Sequence, residues 1–198
     1  MLPIIVSIIL GYLIGSVPFG LVLTRLAGLG DIRKIGSGNI GTTNVLRTGH
    51  KGLALMTLLL DAFKAAVIAL ICAYCFGREL GFLAGFMAVI GHNYPIWLKF
   101  KGGKGVASTL GLMLIMTPLV GIVTCLTWLV VALIWHYSSL SALVALVVAP
   151  IIAGIRGDHA AAITYILLAL LSYYRHHANI SRLIHGTESK ISFHKKVS

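Results

Sequence analysis

Six apolar stretches recur along the chain, at residues 2–24, 53–76, 81–98, 105–135, 140–155 and 159–174, separated by short polar segments. A helix of about 20 apolar residues crosses the roughly 30 Å hydrocarbon core of a bilayer. Residues 2–24 carry no charge and predict one helix, 53–76 a second and 81–98 a third. Residues 105–135 are uncharged throughout, and as one helix would reach roughly 46 Å. That is long for one crossing and short for two ordinary ones. Pro118 lies near its middle, where a missing N–H breaks a helical ladder. A single crossing there gives six transmembrane helices in all, and a break into two short helices gives seven; the parity of the termini selects seven. The fold class is all-α, a polytopic membrane helical bundle forming a single domain over residues 1–198.

Composition supports this picture. Hydrophobic residues make up 58% of the chain, mean hydropathy is +0.97, and only 11% of residues are charged. A soluble domain carries about 25% charged residues. The net charge of +11 would suggest nucleic acid in a soluble protein, but here it reads as topology and anion binding. Segments 25–52, 99–104 and 175–198 hold 13 of the 16 lysines and arginines, which places all three in the cytoplasm. The first basic residue, Arg25, follows the first apolar stretch, so residues 2–24 read as a retained helix with a periplasmic N-terminus. A cytoplasmic C-terminus then requires an odd number of crossings. With seven, His136–Ser141 becomes a fourth cytoplasmic loop; a five-span version needs some of the short helices to be re-entrant. Cys72 and Cys75 form a C-x-x-C inside an apolar helix, without a second pair or a nearby histidine, and read as small hydrophobes. No metal and no cofactor is expected.

Three polar clusters interrupt the apolar pattern. In the first, Gly36, Gly38 and Gly41 form a G-x-G-x-x-G, but no βαβ unit surrounds it. Glycines let backbone N–H groups curl around an anion. Ser37, Asn39, Thr43 and Asn44 add neutral polar groups, and Arg47 can grip phosphate bidentately. A flexible loop with a topogenic arginine is the plainer alternative. In the second cluster, Lys99 to Gly105 reads KFKGGKG and leads into an apolar helix, an arrangement suited to phosphate at a helix N-terminus. Its alternative is a charged hinge. The third, RHHANISR at 175–182, puts His176 and Asn179 three residues apart, on one face of a helix. His176 suits a general base; interfacial polar residues would look alike. His92, in GHNYP, reads equally as a site residue or a structural one. Asp61 and Lys64, within the second apolar stretch, are spaced for an ion pair and read as structural.

Together, GSGNIGTTNVLRTG at 36–49, GHNYPIWLKFKGGKGVA at 91–107 and RHHANISRLIHGTE at 175–188 resemble the bacterial acylphosphate:glycerol-3-phosphate acyltransferases, the PlsY family, over nearly the whole chain. The resemblance implies a small bacterial inner-membrane protein with its active site at the cytoplasmic face. It implies transfer of a fatty acyl group from acyl phosphate to the sn-1 hydroxyl of glycerol 3-phosphate, giving lysophosphatidic acid and phosphate. Both substrates and the lipid bilayer would be its partners, with transient contact to the enzyme that supplies acyl phosphate. Ser37, Arg47, Lys104, His176 and Asn179 would be catalytic. Gly36, Gly38, Asn39, Gly41, Thr43, Asn44, Lys101, Gly102, Gly103, Ser139, His177 and Arg182 would bind substrate or phosphate. Asp61, Lys64 and Glu188 would be structural. Many relatives carry arginine where this chain has His177, which leaves open which histidine works, though position favours His176.

Phosphate leaves a mixed anhydride readily, so no covalent enzyme intermediate is required. Acids are scarce in the cytoplasmic segments, where only Asp31 and Glu188 occur. The base is therefore His176 or a phosphate oxygen of the substrate. The competing class is a transporter for small phosphorylated metabolites.

Overall fold

The structure is a computed structural model that describes residues 1–191. Lys195 and Lys196, counted above as topogenic, lie outside the described residues. The elements are helices α1 (Leu2–Gly15), α2 (Phe19–Leu26), α3 (Thr42–Leu46), α4 (Lys51–Phe76), α5 (Arg78–Asn93), α6 (Val106–Met116), α7 (Pro118–Trp135), α8 (Ser138–Ile155), α9 (His159–Arg175) and α10 (His177–Ile184). Short 3-10 turns at Ile32–Lys34 and Ile96–Leu98 complete them. The chain forms two compact units, Met1–Pro118 and a second beginning at Leu119.

In the first unit, α1 packs on α5, and α4 packs on both α5 and α6. Small side chains lie between these helices, where Ala54, Ala65, Ala69, Ala84 and Ala88 are buried together with larger ones such as Ile68, Phe82, Leu112 and Met113. Those outside are large, among them Leu55, Phe63, Leu70 and Ile71. A water-soluble helix does not expose large apolar side chains in such numbers. Lipid removes the hydrophobic drive between helices, so they associate by close backbone approach over small residues. Gly11 and Gly15 of α1 lie so close to Ala84 and Ala88 of α5 that a Cβ on either would strike the α5 backbone.

Four segments are long and apolar enough to cross a membrane: Leu2–Leu26, Lys51–Phe76, Pro118–Trp135 and Ser138–Ile155. The other segments counted from the sequence as spans are α5, α6 and α9, of 16, 11 and 17 residues.

Three boundaries differ from the sequence reading. The helix expected over 2–24 breaks between Gly15 and Phe19. Pro18 has no N–H to continue the ladder, and the Val17 carbonyl accepts instead from Lys64 Nζ at 2.8 Å. The helix expected to run to residue 98 stops at Asn93. Tyr94 precedes a proline, which disfavours its helical conformation, and sits at φ −132° and ψ 60°. Finally, Pro118 divides 105–135 unequally. It opens α7 at the one helical position where proline fits well. α7 has 18 residues and is membrane-length, so only α6 is short.

In the second unit α8 packs on α9, and α10 lies against both. Asp158 caps α9 by accepting from Ala161 N at 3.2 Å. Tyr165 is wholly buried.

Candidate active site

The first glycine turn rests on an apolar floor. Ile32, Ile40 and Val45 are buried with Leu21 of α2 and Ala54 of α4. One side chain shapes the turn above it. The Asn44 amide is 1% exposed. Its Nδ2 lies 3.0 Å from the carbonyls of Ile32 and Ile35 and 2.8 Å from that of Asn39, so its two donors serve three acceptors. Its Oδ1 accepts from Ser37 N at 3.1 Å. Asn44, read from the sequence as a phosphate ligand, is thus used up inside the loop as its brace. Gly36 has φ +55°, and a Cβ there would meet Asn44 Oδ1 at 2.5 Å and Arg47 Cδ at 2.8 Å. Arg47 therefore lies across Gly36. Ser37, Thr43 and Arg47 are exposed, whereas Asn39 is half-buried and accepts from Gly41 N at 3.1 Å.

Asp31 opens this segment. Its carboxylate accepts from Arg33 N at 3.0 Å and Arg33 Nε at 2.9 Å, with Arg25 3.4 Å away. The Arg33 hydrogen bonds hold the Asp31 carboxyl well below the usual carboxylate range, and Arg33 is raised in turn.

The second turn shares the floor of the first, because Leu98 packs against the same apolar cluster. Here the backbone does the holding. Gly103 N donates to the His92 carbonyl at 2.9 Å and Gly102 N to the Asn93 carbonyl at 3.2 Å. A Cβ on Gly103 would collide with the His92 imidazole. Lys99 and Phe100 sit at φ 53° and 61°. The left-handed conformation costs a non-glycine residue roughly 1–2 kcal/mol, so the surrounding bonds hold a strained turn. Lys101 is exposed, Lys104 half-buried, and the turn delivers its backbone to the start of α6.

In the second unit, Glu188 is a hub. Its Oε1 accepts from Asn179 Nδ2 at 2.6 Å and Ser139 Oγ at 2.8 Å, and its Oε2 from Arg182 Nε at 2.6 Å. Ser139 and Arg182, expected to touch phosphate, thus bond a carboxylate that ties α8 to α10. Burial pushes the Glu188 carboxyl up, but the bonds from Asn179, Arg182 and Ser139 outweigh it and hold the group below its ordinary range. His176 is 3% exposed, and its Nδ1 lies 2.8 Å from the Ser172 carbonyl. A carbonyl only accepts, so Nδ1 carries the proton and Nε2 is the basic nitrogen. His177 is exposed, with Nδ1 against the Tyr174 carbonyl at 2.9 Å. Of the two adjacent histidines, the fold buries only His176, near the start of α10.

Sequence reasoning left His92 undecided and missed Asn93. Both are buried at the end of α5, and Asn93 Oδ1 and Nδ2 have no partner among the described residues. The available signal was a polar pair immediately before a proline in an apolar segment. Asp61 and Lys64 form the ion pair their spacing allows, at 2.8 Å. Among the described residues no three His, Cys, Asp or Glu side chains gather as a metal site.

An all-helical, multi-pass membrane protein that folds two glycine turns and their cations onto one apolar floor has the parts of a lipid-side enzyme handling phosphorylated substrates. The comparisons agree. Residues 5–186 match the family model described as glycerol-3-phosphate acyltransferase, and the chain belongs to that family, the PlsY family. A glycerol-3-phosphate acyltransferase of Rhodospirillum rubrum is 58% identical over 95% of this chain and 91% of its own. One from Paramagnetospirillum magneticum is 56% identical over 99% of this chain and 98% of its own. A crystal structure of PlsY (YgiH), an integral membrane glycerol 3-phosphate acyltransferase in its glycerol 3-phosphate form, superposes with a TM-score of 0.91 at 36% identity, covering 96% of each chain. Its lysophosphatidic acid form gives 0.89 at 35% identity, over 96% of this chain and 95% of that one.

Proposed function

We propose that this chain transfers a fatty acyl group from acyl phosphate to the sn-1 hydroxyl of glycerol 3-phosphate, at the cytoplasmic face of a bacterial inner membrane. The observation that carries the reading is the pair of glycine-rich, cation-bearing turns on one floor in the first unit. Family membership supports the acyl transfer, and the relatives' names supply glycerol 3-phosphate.

The hydroxyl oxygen attacks the carbonyl carbon of the mixed anhydride. A carbon–oxygen ester bond forms, the bond between that carbon and the phosphate oxygen breaks, and inorganic phosphate leaves with the electron pair. Arg47, Lys101 and Lys104 offset the charge of substrate and departing phosphate, while the N–H groups of Gly38, Gly41, Gly102 and Gly103 hold the turns that carry them. Ser37 and Asn39 add neutral polar contacts. The hydroxyl proton goes to His176 Nε2 or to a substrate phosphate oxygen. Asn179 and the Glu188 hub keep α10 in place beside His176, and the acyl tail stays in lipid.

The test is lysophosphatidate formation by purified protein in detergent, from radiolabelled glycerol 3-phosphate with acyl phosphate or acyl-CoA as donor. Product from acyl phosphate alone supports the reading. Equal use of acyl-CoA overturns the donor assignment, and absence of product with both donors overturns the enzyme. His176→Ala should lower kcat by about 10²–10⁴-fold if His176 is the base; near-wild-type turnover assigns the proton to the substrate phosphate.

A further inference from the structure

The mid-membrane ion pair is unexplained by the chemistry above. Lys64 is the fourteenth residue of a 26-residue helix, about 20 Å along it. Ionisable groups at such a depth are costly and usually functional. An ammonium has three donors and no acceptor. The Lys64 ammonium faces three acceptors: Asp61 Oδ1 at 2.8 Å, the Val17 carbonyl at 2.8 Å and His92 Nδ1 at 2.9 Å. Since Lys64 only donates, Nδ1 accepts and the ring proton sits on Nε2. That edge of the ring is the one a Cβ on Gly103 would strike.

His92 therefore joins two systems. Its ring is gripped by Lys64, and its carbonyl takes the N–H of Gly103 at 2.9 Å. Ser108 Oγ, in the first turn of α6, donates to the Asp61 carbonyl at 2.7 Å and ties the other end of the loop to the same stretch of α4. Non-helical backbone survives at membrane depth only where protein satisfies it, and here the Asp61–Lys64 pair is the fixed point.

We infer that Asp61, Lys64 and His92 are positioning residues: they set the second glycine turn in the shape that receives the phosphate of glycerol 3-phosphate. The inference rests on the reading of that turn as an anion cradle. None of the three touches substrate, and their effect passes through Gly102 and Gly103.

The experiment is steady-state kinetics of the full chain, with KM measured separately for each substrate. His92→Ala should raise KM for glycerol 3-phosphate by about tenfold or more, since displacement of a positioning element by 1 Å can cost as much as a hundredfold. KM for acyl phosphate should stay within about twofold, because the smaller change leaves the donor contacts in place. His92→Asn keeps an acceptor where Nδ1 was and should recover KM to within about threefold of wild type, whereas His92→Gln should not recover it. Should His92→Ala fail to fold, the double variant Asp61→Leu with Lys64→Met decides. Apolar replacement of a buried pair usually preserves stability, yet it removes the grip on His92. An unchanged melting temperature with raised KM for glycerol 3-phosphate supports positioning. Unchanged KM, or both KM values raised alike, overturns it. Gly103→Ala separates the two readings. If it raises KM for glycerol 3-phosphate while the Asp61, Lys64 and His92 variants do not, the cradle stands and the positioning role falls. If it too leaves KM unchanged, the cradle reading falls and this inference with it.

Discussion

The turn at 36–47 and the turn at 99–105 lie over one apolar floor but are held by different means. The first is organised by a side chain, the Asn44 amide, which gathers three carbonyls and one N–H. The second is organised by backbone bonds to the carbonyls of His92 and Asn93, and therefore depends on where α5 ends. The difference teaches where each is vulnerable. A side-chain brace fails by one deletion within the loop. A backbone brace fails by displacement of the helix end it hangs from, or by a Cβ that wedges the two apart.

The cations divide the same way, and substitutions probe the contrast. Arg47 is a planar fork lying across Gly36, whereas Lys101 and Lys104 are point charges. Arg47→Lys should lower kcat/KM by about 100-fold through loss of bidentate binding, which detergent assays would read directly. A loss no greater than that of Lys104→Arg would erase the distinction between the turns.

The Glu188 hub resembles the first turn in being held by side chains, and its carboxylate is 6% exposed. Glu188→Gln should destabilise the protein by about 1–3 kcal/mol at neutral pH, seen as a lower melting temperature. The sign of the pH effect follows from its lowered pKa. The stabilisation is fully present above the ordinary value of 4.5 and is lost as pH falls through the lower folded value. The gap between wild type and Glu188→Gln should therefore shrink in acid; a gap that widens would contradict the hub.

The smallest effect belongs to Asp31. Its partners Arg25 and Arg33 have side chains 56% and 38% exposed, and exposed pairs contribute under about 1 kcal/mol. Asp31→Asn should change melting temperature and KM little. A large rise in KM would mean that the 3-10 turn shapes the cradle as strongly as Asn44 does.

Much of this organisation was legible in the sequence, and what was not has physical causes. Charge-free runs mark helices wherever lipid is the solvent, and Pro118 marks a helix start because proline fits there. Pro18 was equally visible, but reading a break from it required knowing that Lys64, 47 positions away, would satisfy the exposed carbonyl of Val17. Likewise the glycines of both turns announce tight backbone, but nothing local distinguishes Asn44, spent within the loop, from Ser37, which faces outward. Composition shows that a polar residue needs a partner; only the fold shows which.

The most direct test of the account is equilibrium binding of radiolabelled glycerol 3-phosphate to Asn44→Ala in detergent. Every arginine and lysine remains in that variant, so charge is constant while the shape of the first turn is lost. Affinity should fall by about 100-fold, the loss expected when several bonds within a buried network go together. Affinity equal to wild type would show that charge alone retains the substrate and that the architecture of the turn is not what binds it.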